Sequence, residues 1–326
     1  VAGYYNGSGF ARDFVILPDV LSDNLIFNTE GRQSGRASAE FTYTANETPS
    51  DLYGAGYFII SRANSIIDKI DNLADGDFKN DILGQALAIR GLCHFDIARS
   101  YCQIPTQSSG ANESIGLAYV DTFDPQQLPA RNTTVAETYS KIIADLEEAS
   151  TLINTSTTNT FLNLASVKAI LSRVYLYNGN YALAAQRAQE SINAGATLAT
   201  RAQFPLIWLD AAENDVLFKV AITQQDNVQI GSGYNQLLGG EIFSEYVCDF
   251  GLFSLYQNND VRKNSYIRTE QTNGIVYNHI IKYFQDASGL RFLDAKYIRT
   301  SEVYLNMAEA KFRSGNEIGA LADLNQ

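Results

Sequence analysis

The chain reads as a mostly α-helical protein, a superhelix of stacked helix pairs with an irregular, loop-rich part set among them. Three observations predict this. Apolar residues recur at helical spacing over about 57–102, 134–195 and 297–326. Glycines follow the first helix of two of these units, Gly179 in Asn178-Gly179-Asn180 and Gly315 in Gly315-Asn316, the residue type that ends a helix in the left-handed conformation. The unit itself returns: Leu164 to Ile192 lies over Val303 to Leu324 with Gly179 on Gly315, Ala184 on Ala320, Ala185 on Leu321 and Ala188 on Leu324.

The elements follow in order. The first fifty or so residues lack sustained periodicity and read as loops around short elements. Tyr57 to Leu73 then carries Ile59, Ile60, Ala63, Ile66, Ile67 and Ile70 on one stripe, and a helix from about Asp81 to Cys102 completes the first hairpin. A loop from Gln103 to Asn132, with Pro105, Pro125 and Pro129, leads to a helix over Thr134 to Leu152. Thr134 is placed as its N-cap, with Glu137 three residues on to complete a capping box. That helix pairs with Leu164 to Asn178, where Val167, Ile170, Leu171, Val174 and Tyr175 share a face. Tyr181, Ala184, Ala185, Ala188 and Ile192 form the matching face of the next helix, and the alanines let the two axes approach closely. This is the tetratricopeptide type of unit. Beyond Gly195 the pattern fades; Val216 to Val220 looks extended, Gln224 to Gly251 is the least regular stretch, and helices resume from Tyr297. A single domain over 1–326 is expected, with irregular regions at about 1–53 and 196–290.

With 326 residues the chain can bury roughly three quarters of its unfolded surface. Its 24 basic and 36 acidic residues give a formal charge of -12, which repels phosphate backbones, so nucleic acid is excluded as the expected partner. No stretch approaches the roughly 18 apolar residues of a membrane span; Tyr57 to Ile70 is broken by Ser61, Arg62, Asn64, Ser65, Asp68 and Lys69. Val1 is not a start methionine, and Gln326 stops within a helical pattern, so sequence is expected beyond both ends. Cys93 and Cys102, nine apart on one predicted helix and so about 13 Å apart by its rise, cannot bond to one another. Free thiols are expected.

Several segments, ordered along nearly the whole chain, resemble the SusD/RagB family of outer-membrane nutrient-binding lipoproteins. The most specific is Lys296-Tyr297-Ile298-Arg299-Thr300-Ser301-Glu302-Val303-Tyr304-Leu305-Asn306-Met307-Ala308-Glu309-Ala310, similar to that family's helix before a glycine turn. Others are Ala86, Arg90, Phe95, Asp96, Arg99, Tyr101 and Pro105; Arg131, Thr134, Glu137, Tyr139, Ile142, Ile143, Asp145, Leu146 and Ala149; and Arg173 to Asn180. Asn64-Ser65-Ile66-Ile67 and Asp260-Val261-Arg262 add two shorter agreements. The resemblance implies a tetratricopeptide-like scaffold and ligand loops. It also implies a lipid-anchored protein on the outer face of the outer membrane, which captures a glycan and closes over a TonB-dependent transporter of the SusC type. The sequence departs from the pattern in carrying no acylated N-terminal cysteine, in Cys102 where glycine is common, and in ending at Leu324-Asn325-Gln326.

Signatures of catalysis and of cofactors are missing: there is no G-x-x-x-x-G-K, H-E-x-x-H or G-x-S-x-G. His94 reads as a hydrogen-bonded structural histidine within a helix; nothing selects a role for His279. The acidic pairs Asp19 and Asp23, Asp121 and Asp124, and Glu213 and Asp215 read as caps or turn residues before they read as a glycosidase pair. Asp75-Gly76-Asp77 begins like a calcium loop, but Ala86 stands where its closing glutamate belongs, so no metal site is assigned. Glycan binding asks instead for flat rings against sugar faces, with amides, guanidinium groups or carboxylates on the hydroxyls. Two stretches offer these: Arg32 to Tyr53, with Arg36, Phe41, Tyr43 and Asn46, and Tyr234 to Tyr246, with Asn235. Trp208, among Phe204, Leu206 and Leu209, reads as structural. The expected function is non-catalytic capture of an oligosaccharide; a repeat scaffold for a protein or peptide, and a helical glycosidase, are the alternatives.

Overall fold

The computed structural model describes residues 10–44, 52–124, 126, 129–154, 158–272 and 274–326. The chain opens with α1 (Phe10–Val20), β1 (Leu25–Phe27) and α2 (Arg36–Ala39), then the long helices α3 (Leu52–Asp68) and α4 (Asp77–Tyr101). Next come α5 (Val135–Leu152), α6 (Leu164–Tyr177) and α7 (Tyr181–Asn193). A mixed region follows with α8 (Phe204–Ile207), β2 (Val216–Val220), β3 (Asn235–Leu238), β4 (Glu241–Ser244) and β5 (Tyr246–Cys248). It continues through α9 (Phe250–Leu255), α10 (Val261–Tyr266), β6 (Ile267–Thr272), β7 (Ile275–Ile280) and β8 (Ala295–Arg299), before α11 (Thr300–Arg313) and α12 (Glu317–Leu324). Helix predominates, so the tetratricopeptide-like all-α class is correct, with small antiparallel sheets added to it.

α4 is the spine, packed by α3 and by α5. It is buried without a break from Ala86 to Ala98, which is why it shows no single apolar stripe: a helix covered all round has no wet face to keep polar. In α5 the capping box forms as expected. The Glu137 N–H donates to Thr134 Oγ1 at 3.1 Å and the Thr134 N–H donates to Glu137 Oε2 at 2.7 Å. α6 packs on α7 through Ala184 and Ala188, both fully buried, and the Ser191 hydroxyl donates to the Ala165 carbonyl at 2.7 Å. α11 lies on α7 and α6 and carries α12. The recurrence extends to the turns: Gly179 and Gly315 have φ of 76° and 82°, and the Asn180 and Asn316 side chains cap the helices that follow.

Three elements depart from the sequence reading. Within the first fifty residues stands the 11-residue helix α1, whose periodicity is cut short by Pro18 in its last turn. The least regular stretch contains the hairpin β3–β4, closed by Gly239-Gly240 with φ of 60° and 90°. The segment from Tyr297 begins as strand β8, antiparallel to β2, and the helix starts only at Thr300. Asp215 sets that start. Its carbonyl accepts from the Thr300 N–H at 2.8 Å and its carboxylate from the Ser301 N–H at 2.7 Å, while Arg299 sits 3.0 Å from its other oxygen. A residue distant in sequence thus supplies the cap, which local sequence does not show.

The remaining sheet has the order β1-β5-β7-β6. Its β1–β5 ladder, Leu25 opposite Cys248 and Phe27 opposite Tyr246, ties the N-terminal segment to the mixed region. Trp208 is buried against Tyr266 at 5.1 Å and Tyr283 at 5.5 Å, the structural role expected of it. Cys93, Cys102 and Cys248 are not joined in disulfides.

Candidate functional site

The β1–β5 pairing brings the two singled-out stretches around one cavity of about 390 Å3. Ile16, Leu17 and Val20 of α1 give it an apolar lining; Arg32, Ser34, Gly35 and Ser38 come from the first stretch, and Ser232, Gly233 and Tyr246 from around the second. Glu245 fastens them together. Its carboxylate, 1% exposed, accepts from Arg32 Nε and, at 2.9 Å, from the Ser34 N–H. A buried carboxylate satisfied in this way fixes the direction of the half-exposed Arg32 guanidinium. Tyr246 donates its hydroxyl to the Ser34 carbonyl at 3.0 Å and meets Phe27 edge-on at 5.7 Å. Burial, with the neighbouring Glu245 charge, pushes that phenol up to about 12, so it remains a donor at neutral pH. Gly35, at φ 70°, is required here: a Cβ on it would stand 2.9 Å from the Tyr246 hydroxyl.

The chain then leaves the cavity through α2 and exposes two rings. Arg36 is exposed and paired with Glu40 at 2.8 Å; Phe41 is 64% exposed and Tyr43 38%. Phe41 holds a φ of 53°, a left-handed conformation that bulky side chains rarely adopt. Its ring is therefore presented to solvent on a backbone fixed by the surrounding turn, in which the Thr42 N–H donates to the Ala37 carbonyl at 2.9 Å. Asn46 lies outside the described residues. Tyr234 and Asn235 turn inward and are structural. Tyr234 is fully buried and donates to Asp19 at 2.6 Å; the Asn235 amide donates to the Ile280 carbonyl at 2.6 Å and its oxygen accepts from Arg291 at 3.2 Å. Strand alternation places Asn235, at the start of β3, on the inner face. Sequence reasoning missed the α1 contribution and Glu245; the Gly-Gly hairpin signal ahead of Ile242 to Cys248 was the available clue.

The acidic candidates are engaged elsewhere. Asp215 caps α11, Glu213 pairs with Lys219, and Asp124 accepts the Gln126 N–H at 2.9 Å. Asp75 and Asp71 both pair with Lys79 at 2.9 Å. Among the described residues, no group of three or more His, Cys, Asp or Glu side chains gathers in a metal-binding arrangement. No described helix is long and apolar enough to cross a membrane.

A family model of the SusD-like group, described as starch-binding and associating with the outer membrane, matches residues 15–176. A proposed sugar-binding protein from Bacteroides vulgatus is 28% identical, superposes with a TM-score of 0.82, and is covered over 73% of its length by 99% of this chain. Over residues 15–176 the chain thus resembles the SusD-like family. A SusD superfamily protein from Bacteroides thetaiotaomicron shares 24% identity at a TM-score of 0.85, with 99% of this chain on 77% of that one. A laminarin-binding SusD-like protein shares 18% identity at 0.74, with 99% on 80%. No curated protein matches the chain.

Many of the polar residues that carry the resemblance to that family are inside the frame. Arg90 of α4 holds Asp145 of α5 through paired bonds of 2.7 and 2.6 Å, and reaches Asn64 of α3 at 3.0 Å. Burial opposes the Arg90 charge, but Asp145 outweighs it and holds the guanidinium above its ordinary pKa. Arg173 of α6 grips Glu302 of α11, and Asp96 accepts from Arg99 at 3.1 Å and from the Tyr297 hydroxyl. Burial raises Asp96 above the ordinary aspartate value even against those partners. Charges so placed link helices to one another. The individual residues that carry the resemblance thus mark the scaffold, and the cavity-lining residues are not among them.

Proposed function

We propose that this protein is a non-catalytic glycan-binding component of an outer-membrane uptake system, capturing an oligosaccharide at the Arg32–Tyr246 cavity and passing it to a TonB-dependent transporter. An N-terminal lipid anchor on the cell exterior completes the reading. The observation that carries it is the convergence, around one cavity, of a locked guanidinium, three serines and a tyrosine hydroxyl, with the exposed Phe41 and Tyr43 rings following shortly after Ser38 in the chain. Rings take the apolar faces of sugars and the polar groups take hydroxyls. None of the described residues lining the cavity is acidic, whereas glycoside hydrolysis uses a pair of carboxyl groups. The lining is equipped for binding. The laminarin-binding relative supports the substrate class.

Calorimetric titration with starch-, laminarin- and xyloglucan-derived oligosaccharides tests the reading. At least one series is expected to bind, with Phe41→Ala and Tyr43→Ala each weakening it roughly two- to tenfold. Binding unchanged in both variants would move the site elsewhere. The transporter is tested by extracting the membrane-held protein in detergent, where a β-barrel partner is expected to co-purify in stoichiometric amount.

A further inference from the structure

A second cavity, also about 390 Å3, shares no lining residue with the first. It is built where α3 meets the loop between α4 and α5, and its walls include Tyr53, Tyr57, Phe123 and Pro129, with Ser61 and Asp124 as polar groups. The walls are fixed from behind. The Tyr57 hydroxyl donates to the Ala118 carbonyl at 2.8 Å, and the Tyr53 ring is set by Tyr57 at 4.8 Å and, edge-on, by Tyr101 at 5.3 Å. The loop is pinned as well: the Asn64 amide donates to the Val120 and Thr122 carbonyls at 2.9 and 3.2 Å, and the Val120 N–H donates to His94 Nε2 at 3.1 Å.

Tyr53 and Phe123 remain 38% and 40% exposed, two large rings on one concave surface of small-ligand size. An apolar ligand would gain nothing from Asp124 and Ser61, and a solvated ion would gain nothing from the rings; a sugar unit uses both. We propose that this cavity is a second carbohydrate subsite, taking pyranose rings against Tyr53 and Phe123 with Asp124 and Ser61 collecting hydroxyls. The proposal rests on the glycan reading above. Because the wall is already ordered, little side-chain entropy is lost on binding.

The test is calorimetry of the full chain with short and long malto- and laminari-oligosaccharides, comparing wild type with Phe123→Ala, Tyr53→Ala and Phe41→Ala. Phe123 is the main variant, because Tyr53 also packs against its neighbours and its loss can disturb folding. Phe123→Ala is expected to weaken long oligosaccharides roughly two- to tenfold, with Phe123→Trp restoring them, while Phe41→Ala weakens both lengths. If the wild type binds and Phe41→Ala weakens it, but neither cavity variant changes any length, the second subsite is overturned and the first site stands. If the wild type binds no member of either series, the proposal falls together with its premise. A concentration-dependent dimer that Phe123→Ala dissolves would instead give the cavity to a second copy of the chain.

Discussion

Phe41 combines an exposed ring with a left-handed backbone, and the two features pull in opposite directions. Left-handed φ costs a side chain with a Cβ about 1–2 kcal/mol, part of which glycine recovers and part of which it returns as chain entropy. Phe41→Gly is therefore expected to stabilise the protein by about 0.5–1 kcal/mol in urea unfolding while weakening oligosaccharide binding. A destabilised variant would mean that the ring does packing work despite its exposure. His94 offers a second residue-scale test. Its Nδ1 faces the Arg90 carbonyl at 2.9 Å and its Nε2 accepts the Val120 N–H, so the ring is held neutral, and burial pushes its pKa down to about 3. The unfolded ring titrates near 6.5. The unfolded state then binds the proton first, and stability present above that value is lost as pH falls toward the folded one, by up to about 1.4 kcal/mol per pH unit. Urea midpoints measured from pH 7.5 to 5 should fall in the wild type and fall less in a folded His94 variant. At this scale the sequence separated little: Phe41 and Tyr234 are both aromatic residues in glycine-bearing stretches, yet one is presented to water and the other is buried on Asp19. A tertiary partner, Asp19 for Tyr234, distinguishes them, and no local pattern supplies it.

At the scale of elements, periodicity carried the helices well because their packing faces repeat every turn, and Thr134 and the Gly179 and Gly315 turns were legible from their own chemistry. Strands β3 and β8 were not legible in the same way. Each is short and owes its conformation to a partner strand, β8 to β2 across a long stretch of chain. The interhelical ion pairs were also invisible as pairs, although their residues were singled out by resemblance. Asp145 gives the sharpest test, since its side chain and that of Arg90 are both under a tenth exposed. Asp145→Ala leaves a buried guanidinium with Asn64 and a backbone carbonyl as partners, and is expected to cost about 3–5 kcal/mol. Replacing Arg90 and Asp145 together with apolar residues of similar volume should recover much of that loss. A double variant as unstable as Asp145→Ala would show that the pair is needed for more than its own charge balance.

For the whole molecule, the division of labour is between a helical frame cross-linked by buried charges and a loop region laced to it through β1, β5 and Glu245. The recurrence of helix pairs made the frame readable, whereas the cavity depends on segments far apart in the chain, Arg32 with Glu245 and Phe27 with Tyr246, which no local window contains. This division predicts where a ligand is felt. A saturating oligosaccharide at about 100 times its Kd stabilises the native state by about 2.7 kcal/mol through linkage alone. In hydrogen exchange, local protection beyond that global shift should fall on Arg32 to Ser38 and on Ser232, Gly233 and Tyr246, because these positions line the cavity or lie between residues that do. The paired helices α6 and α7 should slow only as far as global unfolding is suppressed. Local protection along α6, α7 and α11, with the loops unchanged, would place the ligand on the helical surface. That result would turn the molecule back into a repeat scaffold for a protein or peptide.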